Sequence, residues 1–307
     1  MRGDAVEPAG AASRRAERGT AWEHNPVADL RPVSGGAVLD GGFELLRFRF
    51  GRLIALTACL YLPIWLCSVV LAIVSPPEVS TADSAGGSGI AWSAVTMGSS
   101  SSLVVVLVGA QVVALSILGL CTGHLVMGLA RGEDPSLREL GSVALRRWWV
   151  ALLIVPMNAG VHLVSSCLSG IGWVLGDALV FLSSVAAGAE ALGPWKGFRR
   201  SWDLTRPQFG RALGISFGGL CIAQVIRWSL SWGPTALILS LDPASPLVGL
   251  FTALSSAVLL ITEPLTACIA ARAYLDLRCR RDGVDLVLRQ QRMVDEHRPR
   301  HEQAVLR

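Results

Sequence analysis

Of the ionisable side chains in otherwise apolar stretches, four are candidates for chemistry: His124, His162, Asp177 and Glu263. Charge inside a membrane is costly, so such groups are the first place to look for chemistry. His162 and Asp177 flank Ser169-Gly170-Ile171-Gly172 and lie eight and seven residues from Gly170. On a helical hairpin turning there, the rise per residue puts both about 10–12 Å below the outer surface, where they meet across two helices. An Asp–His pair at that depth relays protons or binds a cation. The alternative is that it neutralises a buried charge and locks two helices together. Glu263 precedes Pro264, which removes a backbone donor and is expected to kink its helix. Glu263 is expected about 12 Å from the inner boundary, on an ion path or against a cytoplasmic Arg. His124 is expected to reach toward headgroups. Gln111, Asn158 and Gln224 are expected to hydrogen-bond between helices.

The surrounding composition makes "inside a membrane" the right frame. The 307 residues are 52% hydrophobic and 16% charged, with mean hydropathy +0.51. Soluble domains carry about 25% charged residues, so this chain lacks the charge to cover a water-facing surface. A soluble enzyme, a disordered chain and a disulfide-rich secreted module are excluded. A helix needs about 20 apolar residues to cross a bilayer. Six segments qualify, at about 53–74, 103–130, 148–167, 171–190, 212–231 and 247–271. In lipid each must satisfy its own backbone hydrogen bonds, so all are read as helices. The expected fold class is all-α, a polytopic membrane protein of six spans occupying residues 34–288. Residues 1–33 read as a disordered tail without a signal peptide, and 289–307 as a charged tail.

Orientation follows the basic residues. No Lys or Arg occurs from Leu53 to Ala130, so the Ser/Gly-rich loop between the first two spans is placed outside. Putting both termini, 131–147 and 196–211 in the cytoplasm leaves 26 of 27 basic residues inside. The exception, Arg227, is expected to snorkel to the outer interface beside Trp228 and Trp232. Trp148 and Trp149 mark the inner boundary, and Trp173, Trp228 and Trp232 the outer one. Only one basic residue is Lys, Lys196, a bias that points to a GC-rich bacterial genome and a cell membrane.

Three cytoplasmic stretches repeat one pattern. Leu39, Phe43, Leu46 and Phe50 form an apolar stripe with Arg47, Arg49 and Arg52 beside it. Leu137, Leu140, Leu145 and Trp148 do the same with Arg138, Arg146 and Arg147, starting from Asp134 as N-cap and Pro135 at the first helical position. Leu192, Trp195, Phe198 and Trp202 follow with Lys196, Arg199 and Arg200. Each reads as a basic amphipathic helix lying among headgroups ahead of a transmembrane hairpin. Arg47, Arg49, Arg146, Arg147, Lys196, Arg199 and Arg200 are therefore the candidate lipid-headgroup contacts.

Catalytic patterns are missing: there is no His-Glu-x-x-His, Gly-x-Ser-x-Gly or Walker-type loop. The serine run Ser99–Ser102 has no nearby base and reads as loop. None of the seven cysteines forms a Cys-x-x-Cys pair, and six lie in apolar stretches, which argues against a zinc site or disulfide framework.

Three blocks carry a family resemblance. The stretch Arg31-Pro-Val-Ser-Gly-Gly-Ala-Val-Leu-Asp-Gly-Gly-Phe-Glu-Leu-Leu resembles the opening of actinobacterial integral membrane proteins related to the glycerophosphoryl diester phosphodiesterase membrane domain. Glu190 to Arg206 is similar to that family's central loop. Tyr274-Leu-Asp-Leu-Arg and the following Asp282-Gly-Val-Asp-Leu resemble its terminal signature, with Asp282 where Glu is usual and Val284 where Phe is usual. The resemblance implies a membrane domain and no more. In fused relatives the phosphodiesterase chemistry belongs to a separate barrel of roughly 250 residues. Only about 36 residues follow the last expected span and about 50 precede the first, so no catalytic residue is carried over.

The expectation is a non-enzymatic membrane scaffold or accessory subunit. It needs no cofactor or metal, engages anionic lipids or a membrane-protein partner, and binds no nucleic acid. The rivals are a transporter or channel using Asp177, His162 and Glu263, and an intramembrane enzyme acting on lipids.

Overall fold

The computed structural model describes residues 26–27, 31–74, 102–167, 169–241, 256–287 and 290. These are helical, with no strand among them. In chain order the helices are α1 (Gly35–Phe48), α2 (Phe50–Val74), α3 (Ser102–Arg131), α4 (Leu137–Ser166), α5 (Ser169–Val180), α6 (Ser183–Ala189), α7 (Pro194–Thr205), α8 (Phe209–Leu241) and α9 (Leu259–Asp282). Five stretches are long and apolar enough to cross a membrane: Phe50–Val70, Val106–Arg131, Leu137–Ser165, Gly172–Ala189 and Pro194–Leu230. The chain is thus an all-helical protein of multi-pass membrane type. Of the sixth expected span, 247–255 lie outside the described residues, and the rest continues into α9. The loop at 75–101 and the tails at 1–25 and 291–307 also lie outside them.

Helix α3 occupies the middle, packed on α6, α4, α9 and α2. Lipid tails are as apolar as Leu, so helices in a bilayer associate through close packing and polar contacts rather than hydrophobic burial. Small residues supply the closeness. A Cβ on Gly188 of α6 would sit 1.9 Å from the Leu120 carbonyl oxygen of α3, and one on Gly123 would sit 2.2 Å from the Val185 oxygen. Ser183-Ser-Val-Ala-Ala-Gly-Ala is therefore a short, bare helix that slots against α3. The main core lies under α1 and α9 and includes Leu45, Leu53, Leu129, Leu204 and Tyr274.

Several expectations need correcting. The 171–190 segment is two helices, broken at Phe181–Leu182, and hydroxyls from α7 satisfy the break. Ser201 Oγ and Thr205 Oγ1 both donate to the Leu179 carbonyl (2.8 and 3.5 Å), and Asn158 Nδ2 of α4 donates to Ser183 Oγ just beyond it (3.0 Å). The basic stretch before the third span is not a separate surface helix, because α4 runs unbroken from Leu137 to Ser166. Its N-cap is Ser136, not Asp134. Ser136 and Glu139 form a reciprocal capping box. Asp134 instead binds Arg52 (2.6 Å) and Arg49 (3.0 Å), tying the start of α2 to the end of α3.

The first apolar stripe is split. Leu46 is buried while Phe43 and Phe50 are exposed, because Gly41 and Gly42 let that face of α1 touch Arg272 and Ile269 of α9. On α7 the buried face is Gly197, Ser201, Leu204 and Thr205. Trp195, 65% exposed, and Trp202 point away from the body. The expected tail is also not free throughout. Val27 is fully buried in the main core, and Val33 hydrogen-bonds to α9.

Candidate functional site

His162 on α4 and Asp177 on α5 do meet. His162 Nε2 lies 4.0 Å from Asp177 Oδ1, and the imidazole stacks on Trp173 with ring centroids 5.5 Å apart. At 4.0 Å the contact is electrostatic rather than a hydrogen bond.

Glu263 is not with them. It lies 6% exposed on α9 and pairs with Arg227 Nη2 of α8. This corrects the expectation for Arg227, which is 8% exposed and does not snorkel outward. Its Nε donates to Thr262 Oγ1 (3.3 Å) and its Nη1 to Gln224 Oε1 (3.3 Å). A guanidinium cannot shed its charge, so in an apolar bundle a carboxylate with flanking oxygens is a better partner than a distant interface. Beside this cluster Tyr61 Oη donates to the Gln111 carbonyl (3.3 Å). The adjoining cavity between Tyr61, Trp65, Gln111 and Leu260 is about 10 Å³, which is no more than one water requires.

A second charged layer lies 16 residues back along α8, about 24 Å away at helical rise. Arg211 Nε binds Asp276 Oδ2 (2.8 Å), and Arg280 binds the same carboxylate (3.2 Å). Glu190, at the end of α6, binds Arg200 (2.9 Å) and Arg278 (3.5 Å), and Asp282 joins both. Tyr274 Oη donates to Glu190 Oε1 (2.7 Å). Burial pushes the Tyr274 hydroxyl well above its ordinary value of 10.0, with Arg278 opposing. Burial also pushes the Cys279 thiol up to about 11. The folded state therefore holds these protons more tightly than the unfolded chain. That stability is complete at neutral pH and is lost as pH rises through the alkaline range. The unfolding midpoint is expected to fall above about pH 10, and to fall less steeply in Tyr274→Phe. Parallel slopes in the two proteins would contradict this.

The seven candidate headgroup residues divide. Arg47, Arg146, Lys196 and Arg199 are exposed. The other three serve the fold. Arg49 pairs with Asp134 and covers the Phe48 ring at 4.1 Å. Arg147 Nη1 donates to the Ala187 carbonyl (2.9 Å) and Nη2 to the Leu192 carbonyl, closing the C-terminal end of α6. Arg200 joins Glu190 and Asp282. Among the described residues no group of three His, Cys, Asp or Glu could hold a metal ion.

The polar residues that sequence reasoning missed are the partners: Arg227 for Glu263, and Arg211 for Asp276. The spacing does not announce them: the two Arg stand 16 residues apart on α8 and the two acids 13 apart on α9, neither a whole number of helical turns, so only the packing of the two helices joins each pair. Comparisons with protein-family models, with curated proteins and with solved structures find no match.

Proposed function

We propose that the protein is a non-catalytic, six-span scaffold or accessory subunit of a bacterial cell membrane. In this reading both termini are cytoplasmic and basic, aromatic-faced helices hold anionic lipid. It is also a relative of the membrane domain that accompanies glycerophosphoryl diester phosphodiesterases. The observation that supports it best is how interior and exterior charges differ. The acids Glu190, Glu263 and Asp276 each face an Arg from another helix. Such pairs are structural ties unless a ligand competes for them. By contrast, Arg146, Lys196 and Arg199 are exposed, and Trp148, Trp195 and Trp202 stand exposed near them. Tryptophan with Lys or Arg at one level is the pattern of a membrane interface. The positive-inside count puts that level in the cytoplasmic leaflet, where anionic headgroups attract each cation by about 1 kcal/mol.

The transporter reading keeps one specific support, the His162–Asp177 contact. Purification in native-lipid particles separates the two, with everything that co-purifies identified in wild type, Asp177→Asn and Glu263→Gln. The expected result is anionic-lipid enrichment in wild type and in each variant that folds. A discrete small molecule bound by wild type and lost from a folded variant would replace the scaffold with a transporter.

A further inference from the structure

Asp177 differs from the other acids inside the bundle. Glu190, Glu263 and Asp276 each face an Arg from another helix. Among the described residues Asp177 faces no Lys or Arg, and its one ionisable neighbour is His162 at 4.0 Å. That distance is too long for a hydrogen bond. Imidazole is mostly uncharged at neutral pH, so the carboxylate is left without a counter-charge. Its side chain is 28% exposed, on a stretch long and apolar enough to span a membrane. A charge open to hydrocarbon is costly, so the open side of Asp177 calls for a cation.

The chain itself has none to offer there. Between Leu53 and Ala271 every Lys or Arg but one falls in 131–147 or 196–211. The exception is Arg227, buried against Glu263. Segments 75–101 and 242–255, outside the described residues, contain neither Lys nor Arg. Flanking cations such as Arg52 and Arg278 bind Asp134 and Asp282, at the end of the bundle that carries the basic loops. Asp177 lies seven residues, about 10 Å, from the turn at the opposite end. A second copy of the chain has the same deficit. The site is nevertheless fitted for a cation. Ser216 of α8, 7% exposed, brings a hydroxyl to the Asp177 carboxylate. Trp173, one turn before Asp177, sets an indole ring on the same face of α5, and such a ring attracts cations. His162 and Asp177 alone fall short of a metal site.

We infer that Asp177, with Ser216 and Trp173 beside it, is the docking point for a Lys or Arg side chain on a membrane helix of a different protein. A lone basic residue in a spanning helix carries the complementary cost. Pairing relieves both charges at once, and fixes which helix docks and at what depth. The inference rests on the accessory-subunit reading and adds the chemistry by which the partner is recognised.

Energy transfer in phosphatidylcholine vesicles tests it, between the full chain labelled at its C-terminus and a Leu-rich spanning peptide. The peptide carries Lys, Arg or Leu about seven residues from its outer end. Wild type is expected to associate with the Lys or the Arg peptide about tenfold more than with the Leu peptide. Asp177→Asn is expected to abolish that preference and Asp177→Glu to keep it, which separates charge pairing from a loss of folding. Equal association of all three peptides with wild type would overturn the inference, and so would a preference that survives Asp177→Asn. Butylammonium serves as the free amine. Its binding at Asp177 without any preference for the basic peptides would assign the site to a soluble amine and overturn the docking. Phosphatidylglycerol enrichment is read on the same protein in mixed-lipid nanodiscs. Enrichment without peptide preference leaves the scaffold reading standing and removes only this site. Peptide preference without enrichment removes the anionic-lipid reading and leaves the docking point.

Discussion

Glu263→Gln is expected to destabilise the protein by about 3–5 kcal/mol, the range for removing one partner of a buried ion pair. The asymmetry of the pair is the sharper part of the prediction. Glu263→Gln strands Arg227 at 8% exposure with Thr262 and Gln224 as its remaining polar contacts. Arg227→Gln strands a carboxylate, which can take up a proton and become neutral. Arg227→Gln is therefore expected to cost less than Glu263→Gln. The double variant Arg227→Met/Glu263→Leu removes both charges and is expected to recover most of the loss. Denaturation curves in detergent measure all three. A double variant no better than Glu263→Gln would show that the pair is not a self-contained unit.

Gly188→Ala is expected to be the next most damaging change although it adds a single methyl. The new Cβ would lie 1.9 Å from the Leu120 carbonyl oxygen, and backbone cannot swing aside as a side chain can. Helix α6 must move off α3, breaking the contacts at Gly119 and Gly123 as well. Overpacking costs about 1–3 kcal/mol, occasionally more, and the upper part of that range is expected here. It outweighs the gain of about 1 kcal/mol that Ala brings over Gly in a helix. Gly214→Ala on α8 is the control, because nothing lies within 4 Å of its Cβ. It should be neutral or stabilising. Equal effects at Gly188 and Gly214 would mean that helix propensity, not closeness, governs this interface.

These two sites show what the sequence makes legible. The meeting of His162 and Asp177 is a local consequence of a tight turn with similar counts on either side, and hairpin geometry carries it without tertiary knowledge. Long apolar runs likewise give the helices, because the bilayer leaves the backbone few alternatives. Arg227 defeats the same style of reasoning. Its position near two tryptophans suggests an interface, yet its partner lies 36 residues away on α9, and only the register of α8 against α9 joins them. The break at Phe181–Leu182 is hidden for a related reason. Hydropathy runs smoothly through it, while the hydroxyls that satisfy it come from α7. The capping box of α4 was legible as Ser136-Leu-Arg-Glu139, and Asp134 two residues earlier draws attention from it. The aromatic face of α7 follows from its sequence, whereas that of α1 does not, because Gly41 and Gly42 make the small-residue side the buried one.

In the proposed function, exposed cations beside outward-facing tryptophans recruit anionic lipid while the interior charges hold the fold. Lipid selectivity tests it most directly, measured in nanodiscs of mixed phosphatidylcholine and phosphatidylglycerol for wild type and for Arg146→Gln/Lys196→Gln/Arg199→Gln. Each lost charge near the surface removes about 1 kcal/mol, up to about fivefold in preference at low salt and less as salt is raised. The triple variant is expected to fold and to lose most of its phosphatidylglycerol enrichment. Enrichment equal to wild type in the folded variant would contradict it.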